Sequence, residues 1–247
     1  MSSLVSSEFL KFRTTRSAIG VMLSAVALIA IAAAGTVGTA QEVQLGTTQL
    51  TRDIVSSSLF AALVAFLVGI LCVTVEWRHG TVTRTLLVTP RRWRVLVAKE
   101  VWIALFSAGL AVIGLLLVVG IAVPWLAFEG ASFEVDGDVW AFAGRIVLAS
   151  MLWGVLGVGF GALVQSQTPA LVGAILWVLV AEGLIGALLG LVDLEYLTDY
   201  LPGRALSAFD GSVEDGLSML AGGAVALAWV VGLGILGYLR MSRQDVT

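Results

Sequence analysis

Six apolar runs, each near or above the length that crosses a bilayer, constrain this chain more than any other feature. A helix needs about 20 apolar residues to span the hydrocarbon core. The runs lie at about 17–35, 56–75, 101–123, 139–164, 170–191 and 217–239. Only 13% of the residues are charged, whereas soluble domains average about 25%. We therefore predict an all-α polytopic membrane protein, in which residues 1–247 form one transmembrane domain.

The polar stretch 76–99 joins the second and third runs and fixes the predicted orientation. It holds six of the fourteen Lys and Arg residues: Arg78, Arg84, Arg91, Arg92, Arg94 and Lys99. Cytoplasmic loops retain such charges because they resist translocation. With this loop inside, eleven of the fourteen basic residues are cytoplasmic, while twelve of the seventeen acids lie outside. The pattern predicts a multi-pass protein of the cell membrane with both termini in the cytoplasm.

The N-terminal residues 1–16 alternate basic and apolar side chains. This pattern predicts a short amphipathic helix at the cytoplasmic interface. A signal peptide is the alternative, because a basic start, an apolar core and small residues before Gln41 have the right order. Sequencing of the mature N-terminus would decide between the two.

Several kinds of chemistry are excluded by composition. The chain has one cysteine, Cys72, and one histidine, His79, so an intramolecular disulfide, a His-rich metal site and a buried Ser-His pair cannot be built. No phosphate-binding motif G-x-x-x-x-G-K-[ST] occurs, so the chain supplies no ATP site of its own. We expect no enzyme activity and no cofactor bound by this chain.

The glycines Gly157, Gly159 and Gly161 lie in an apolar run and predict close helix packing.

The order of residues around the basic stretch is specific in combination. An acid, Glu76, ends the second run, and then come Gly80-Thr81, an amphipathic segment to Thr89, Pro90-Arg91-Arg92 and Lys99. The fourth run is Gly-rich, and Leu201-Pro202-Gly203 follows the fifth. This pattern resembles the membrane-spanning permease subunits of type-2 ABC exporters, close to their bacterial antibiotic-resistance and multidrug branch.

The resemblance implies that Gly80 to Thr89 is a cytoplasmic coupling helix that docks on a separate ABC ATP-binding subunit, which would hold ATP and Mg. It also implies a second permease copy, identical or related, and export of a hydrophobic or amphipathic compound by alternating access. The expected ATPase-coupling residues are Glu76, Gly80, Thr81, Val82, Leu86 and Leu87.

The residues themselves agree with a docking role. Gly80 frees the turn, Thr81 can cap the helix, and Arg78 and Arg84 are placed to hold Glu76. Val82, Leu86 and Leu87 offer an apolar patch to a partner. The alternative is a loop held only by the anionic headgroups of membrane lipid, with its arginines as topology signals. No nucleic-acid partner is expected.

Two ionisable residues fall inside predicted spans. Glu182 lies in the fifth run and Arg145 in the fourth, at similar depths, and the tight turn 165–169 makes these spans neighbours. Intramembrane charges mark either structural pairs or transport pathways. We predict a structural Arg145–Glu182 ion pair or, as the resemblance implies for the fifth span, a Glu182 that lines the pathway.

Two other classes of protein are considered. A secondary transporter or channel without an ATPase should carry several intramembrane ionisable groups or paired broken helices, and the spans here carry few. A membrane-embedded enzyme is disfavoured by the missing chemistry. The predicted spans consist mostly of Leu, Val, Ala, Ile and Gly, which would accept many apolar molecules, so they do not identify a substrate.

Overall fold

The computed structural model describes residues 7, 8, 10, 16–41, 44–88, 91–213 and 215–243. This part of the chain is helical and contains no strand, and six of its helices are long and apolar enough to cross a membrane. The predicted all-α polytopic fold with six such helices is confirmed. The predicted interfacial helix at 1–16 lies outside the described residues except for Ser7, Glu8, Leu10 and Arg16.

Ten α-helices follow one another along the described chain. They are α1 (Arg16–Gly38), α2 (Thr48–Ser56), α3 (Phe60–Arg78), α4 (Thr81–Val88), α5 (Arg92–Phe128), α6 (Gly137–Val164), α7 (Gln167–Leu176), α8 (Glu182–Gly190), α9 (Pro202–Asp210) and α10 (Met219–Ser242). A 3₁₀ turn at Ser57–Leu59 joins α2 to α3, and a π-helical turn at Trp177–Ala181 joins α7 to α8. The six long helices are therefore α1, α2–α3, α5, α6, α7–α8 and α10.

Side-chain caps fix where several helices begin. The Asp136 carboxylate accepts a hydrogen bond from the Val139 N–H at 2.8 Å, which satisfies one of the free donors at the start of α6. Thr47 caps α2 and Ser218 caps α10 in the same way. At the other end of α6, Gln165 adopts a left-handed conformation with φ 59°, which turns the chain sharply into α7.

The basic stretch 76–99, predicted as a cytoplasmic coupling loop, is largely helical. It contains the end of α3, all of α4 and the first turns of α5. The long helix α5 begins at Arg92 because Val95, Leu96 and Ala98 already bury their side chains within the bundle.

Helix α6 lies at the centre of the bundle and packs against α3, α5 and α10. Glycines bring its backbone against that of α3: a Cβ placed on Gly157 would collide with the Phe66 carbonyl, and one on Gly161 would lie 2.9 Å from the Ile70 carbonyl. Gly159 meets α10, where a Cβ would lie 3.0 Å from the Gly234 nitrogen. The predicted packing role of these three glycines is confirmed, and we call the α3–α6 contact the glycine seam.

The segment between α8 and α10 enters the bundle. Its sequence predicts a short helix at the outer interface, with Leu194, Leu197 and Leu201 on one face, and a break at Pro202-Gly203. A mostly exposed 3₁₀ helix at Glu195–Tyr200 occupies this place, and Leu201 is extended before Pro202. The prediction did not include the second helix that follows. Pro202 begins α9, since a proline at the first helical position needs no N–H partner. Helix α9 is also buried: Ala205 and Leu206 have no exposed surface, and Leu206 packs with Ala149 of α6 and Ala226 of α10.

Candidate functional site

The bundle has two ends of opposite chemical character. At the basic end, Arg78 donates a hydrogen bond to Gln167 at 3.0 Å, and Arg92 donates to the Met241 carbonyl. These contacts gather the α3–α5 connection, the α6–α7 turn and the end of α10 on one side. The acidic end holds the segments 44–59, 129–138, 191–213 and 215–218 and most of the described acids.

The predicted coupling segment is a separate helix, α4, at the basic end. Gly80 turns the chain into it with φ +65°, a conformation that glycine adopts without strain. The Thr81 hydroxyl donates to the Glu76 carbonyl at 3.4 Å and so ties the start of α4 to the end of α3. Helix α4 ends at Val88, and Thr89, the predicted last residue of the segment, lies outside the described residues.

The three apolar residues of the predicted docking patch do not share one surface. Val82 is 9% exposed and packs against Trp77 and Val95 of its own chain, whereas Leu87 is 74% exposed. The Leu86 side chain lies outside what the structure describes. Val82 therefore anchors α4 to the bundle, and Leu87 is the described apolar side chain of this patch that faces outward.

Glu76 belongs to a buried ion cluster. Its carboxylate lies 2.9 Å from the Lys99 ammonium, which also contacts the Glu8 carboxylate at 2.7 Å and donates to the Cys72 carbonyl at 3.0 Å. The sequence predicts Arg78 and Arg84 as the partners of Glu76. Arg78 donates to Gln167 instead, and the Arg84 side chain is not described.

Sequence reasoning missed the part that Lys99 and Glu8 play in this cluster. A signal was present, because Val95, Leu96 and Ile103 of α5 are buried and Lys99 lies on the same helical face. A lysine on an apolar face needs a carboxylate partner, and the nearest acid along the chain, Glu100, lies on a different face. The cluster ties Glu8 to α3 and α5 just before α4.

The structure does not bring Arg145 and Glu182 together as an ion pair. Glu182 Oε1 accepts hydrogen bonds from the Trp177 indole N–H at 2.7 Å and from the Gly203 N–H at 2.9 Å. Arg145 Nε donates to the Asp210 carbonyl at 3.0 Å. The two charges instead hold opposite ends of one helix, α9.

Charged side chains bind both ends of helix α9, each with the sign that suits the helix dipole. Glu182 lies at its N-terminal, partly positive end, while Arg145 and Arg52 bind carbonyls at its C-terminal, partly negative end. The Arg52 guanidinium lies 2.6 Å from the Gly211 carbonyl and 4.9 Å from the centre of the Phe142 ring. Nine helical residues span about 13 Å. The fourth and fifth long helices are therefore linked electrostatically, but through α9.

Asp210 adds a buried carboxyl group at the C-terminal end of α9. Burial raises the pKa of Asp210, and hydrogen bonds from Ser212 together with the charges of Arg145 and Arg52 oppose this rise. The Ser212 N–H donates to Asp210 Oδ1 at 2.8 Å, and the Ser212 hydroxyl donates to the same atom. The carboxylate thus serves the turn that follows α9.

An apolar cavity of about 140 Å³ lies beside the N-terminal end of α9. It is bounded by α3, α6, α7, α9 and α10 and lined by Phe66, Leu156, Phe160, Gly173, Ala174, Trp177, Pro202, Trp229 and Leu233. Trp177 directs its N–H to Glu182 and Trp229 directs its N–H to the Tyr200 carbonyl, so both indole rings present apolar faces to the cavity. Sequence reasoning did not find this cavity, because its walls come from five separate elements.

Glu182 lies where the fifth long helix changes its hydrogen-bonding pattern. The π-helical turn Trp177–Ala181 ends directly before it. Such turns insert one extra residue into a helix and are frequent at functional sites. The Trp177 indole N–H, in this wider turn, donates to the carboxylate five residues later. Within the described residues, no three His, Cys, Asp or Glu side chains converge as metal ligands would.

The fold and these sites define a class: the protein is a multi-pass, all-α membrane protein with a buried ion cluster at one end and a clamped helix beside an apolar cavity at the other. Comparisons with models of known protein families and with curated proteins give no match. The resemblance to ABC exporter permeases thus rests on the motifs quoted above.

Proposed function

We propose that this chain is the permease subunit of an ATP-driven exporter of the ABC type, which moves a hydrophobic or amphipathic compound out of the cell. The observation that carries the proposal is helix α4, a separate short helix between two long membrane helices at the basic end. It leaves α3 at Gly80 and exposes Leu87. A short helix of this kind suits a groove on a cytoplasmic partner.

The surroundings of α4 support its role as a transmitter of motion. Val82 packs against Trp77 of α3 and Val95 of α5, and Thr81 is bonded to the last turns of α3. A push on α4 would therefore be carried into two long helices. The Glu76–Lys99–Glu8 cluster braces the same junction, because a buried triad keeps its geometry only when all partners stay in place.

Orientation follows from charge. The basic residues gathered at the α4 end favour the cytoplasm, and the acids at the other end favour the outside. In this orientation both termini are cytoplasmic, the membrane is the cell membrane, and α9 enters the bundle from outside. ATP and Mg would be bound by the partner subunit, and a second permease copy would complete the transporter.

Site-specific crosslinking tests the proposal. A photo-reactive amino acid at position 87 in the native cell should capture a protein with an ATP-binding motif, identified by mass spectrometry. The matched control is position 128, where Phe128 is 89% exposed at the opposite end of the bundle; it should capture no such protein. Capture of an ATPase at neither position, or equally at both, would refute α4 as the docking element.

An ATPase-independent secondary carrier is the second candidate, and one observation favours it. Glu182 is an acid inside a long apolar helix that is interrupted by a π-helical turn, and such acids serve proton-coupled carriers. Transport driven by a proton gradient without ATP would support this candidate over the exporter.

A further inference from the structure

The cavity beside α9 has the size and lining of a binding site for one ring. Its volume of about 140 Å³ is close to that of an engineered apolar cavity in another protein that binds benzene, about 150 Å³. Phe66, Phe160, Trp177 and Trp229 contribute aromatic rings from four different elements. A hydrophobic group placed there would touch aromatic carbon on several sides.

The Glu182 carboxyl group lies beside this cavity, next to the lining residue Trp177 and to Gly203, which follows the lining residue Pro202. Oε1 accepts both N–H bonds, from Trp177 and Gly203, whereas Oε2 has no hydrogen-bond or ion-pair partner within the described part of the chain. A charge inside an apolar helix bundle calls for a counter-ion, and the described arginines nearest along the chain are already engaged, Arg204 with Asp199 and Arg145 with Asp210.

The carboxylate and the cavity share their boundary. Trp177 lines the cavity and donates to Glu182, and Pro202 lines it beside Gly203, the second donor. A ring stacked on the Trp177 indole would therefore carry its substituent towards Glu182. The same indole face also attracts cations through its π electrons.

We propose that the cavity and Glu182 Oε2 together bind a hydrophobic organic cation, with an aromatic or branched alkyl group in the cavity and a protonated amine against the free carboxylate oxygen. The inference rests on the proposed function only for the transport step after binding, since an exporter would carry this cation outward. Binding itself requires no ATPase.

Charge distinguishes this ligand from the other occupant that a membrane cavity could hold, a lipid acyl chain. An acyl chain would fill the apolar volume and gain nothing from Glu182. A cation gains a charge-assisted hydrogen bond that a neutral molecule of the same shape lacks. We expect a preference of at least about tenfold for the cation, because hydrogen bonds to charged groups are the stronger class.

The experiment measures equilibrium binding to the purified chain in phosphatidylcholine nanodiscs at pH 7, with protein-free nanodiscs as background. The probes are radiolabelled 4-butylbenzylamine, which is a cation, and 4-butylbenzyl alcohol, its neutral analogue. The amine should bind at least about tenfold more tightly. Equal binding of the two probes, or amine binding no greater than that of empty nanodiscs, would overturn the proposal.

Two variants locate the site. Glu182→Gln keeps an oxygen for Trp177 and Gly203 but removes the charge, so amine affinity should fall to that of the alcohol while alcohol binding stays the same and reports an intact cavity. Ala174→Leu fills the cavity from α7, so both probes should bind at least about tenfold more weakly. Leu179→Ala, on the exposed face of the same long helix, is the control and should change neither.

Amine binding that survives Ala174→Leu would place the ligand elsewhere and overturn the proposal, and so would full amine affinity in Glu182→Gln. If Glu182→Gln does not fold, the amine preference of the wild-type chain and the Ala174→Leu result still decide. Since no ATPase is present in the nanodiscs, failure here leaves the crosslinking result at position 87 untouched, and failure of that crosslinking leaves this result untouched.

Discussion

The glycine seam between α3 and α6 differs sharply from the fifth long helix, α7–α8. In the most apolar 18-residue stretches, 61% of the second long helix and 56% of the fourth are buried, against 6% of the fifth. Because lipid gives helices no hydrophobic reason to associate, close backbone packing and polar contacts hold a membrane bundle together. The seam uses the first device, and the fifth helix depends on the second.

The seam and the fifth long helix suit different roles. In the seam, the glycines of α6 lie against the backbone of α3 with no ionisable side chain between them. Such close packing suits a rigid frame. The fifth helix carries the π-helical turn, Glu182 and one wall of the cavity. Segments with few buried contacts open and move at the lowest free-energy cost. The proposed transporter would need both a rigid frame and a part that moves, and the two lie on different helices.

The largest expected effect comes from a substitution in the ion cluster at the basic end of α3 and α5. Lys99→Met removes the cation between Glu8 and Glu76 and leaves two buried carboxylates facing each other. We expect the free energy of unfolding to fall by about 3–5 kcal/mol, measured by detergent titration in mixed micelles. Arg94→Met, which changes an exposed basic side chain five residues earlier in α5, is the control and should cost less than about 0.5 kcal/mol. A loss for Lys99→Met as small as that of the control would show that the cluster does not brace this junction.

The seam itself is tested by one methyl group. Gly157→Ala forces a Cβ against the Phe66 carbonyl, so we expect a loss of about 1–3 kcal/mol in the same unfolding assay. Gly144→Ala lies in the same helix, where an added Cβ would meet nothing within 4 Å, and should be neutral or slightly stabilising. Equal results for the two alanine variants would contradict the close approach of α3 and α6.

Asp210 makes stability depend on pH. Because burial raises its folded pKa above the ordinary 3.8, the folded state holds its proton to higher pH than the unfolded state. Stability therefore falls as pH rises from the ordinary value through the raised folded pKa, by up to about 1.4 kcal/mol per pH unit inside that window. Asp210→Asn cannot titrate and still accepts the Ser212 bonds. The difference between wild type and variant should follow this curve, and a difference that is constant with pH would contradict the burial of Asp210.

The smallest effect is expected on the exposed face of the fifth helix. Leu179 is 71% exposed, so Leu179→Ala should change the free energy of unfolding by less than about 0.5 kcal/mol. Ile70→Ala, at a fully buried position of the seam, should cost about 2–5 kcal/mol. Similar losses for both would remove the contrast between the two regions.

Much of the fold could be predicted from the sequence, because an apolar run near twenty residues has few alternatives in a membrane. The helix at 81–88 could also be predicted from Gly80 and the amphipathic segment after it. The partners of charged residues could not. Glu76 finds Lys99 and Glu8, which are distant along the chain, and Glu182 and Arg145 meet through α9 rather than directly. Such pairings depend on which helices neighbour one another, and apolar spans carry little information about that.

The missed burial of α9 has the same cause. Pro202-Gly203 marks the end of the short helix before it, but proline also fits the first turn of a new helix, and a Cβ on Gly203 would press against the Glu182 carboxylate. A local pattern cannot show a contact made 21 residues away.

In the proposed mechanism, ATP hydrolysis on a separate subunit acts through α4 to drive movement of a hydrophobic compound. The most direct test reconstitutes the chain with the ATPase identified by crosslinking at position 87 and follows uptake of 4-butylbenzylamine into inside-out proteoliposomes. We predict uptake that requires ATP, survives a protonophore and is lost in Leu87→Asp. Uptake that proceeds without ATP and collapses with the proton gradient would contradict this mechanism.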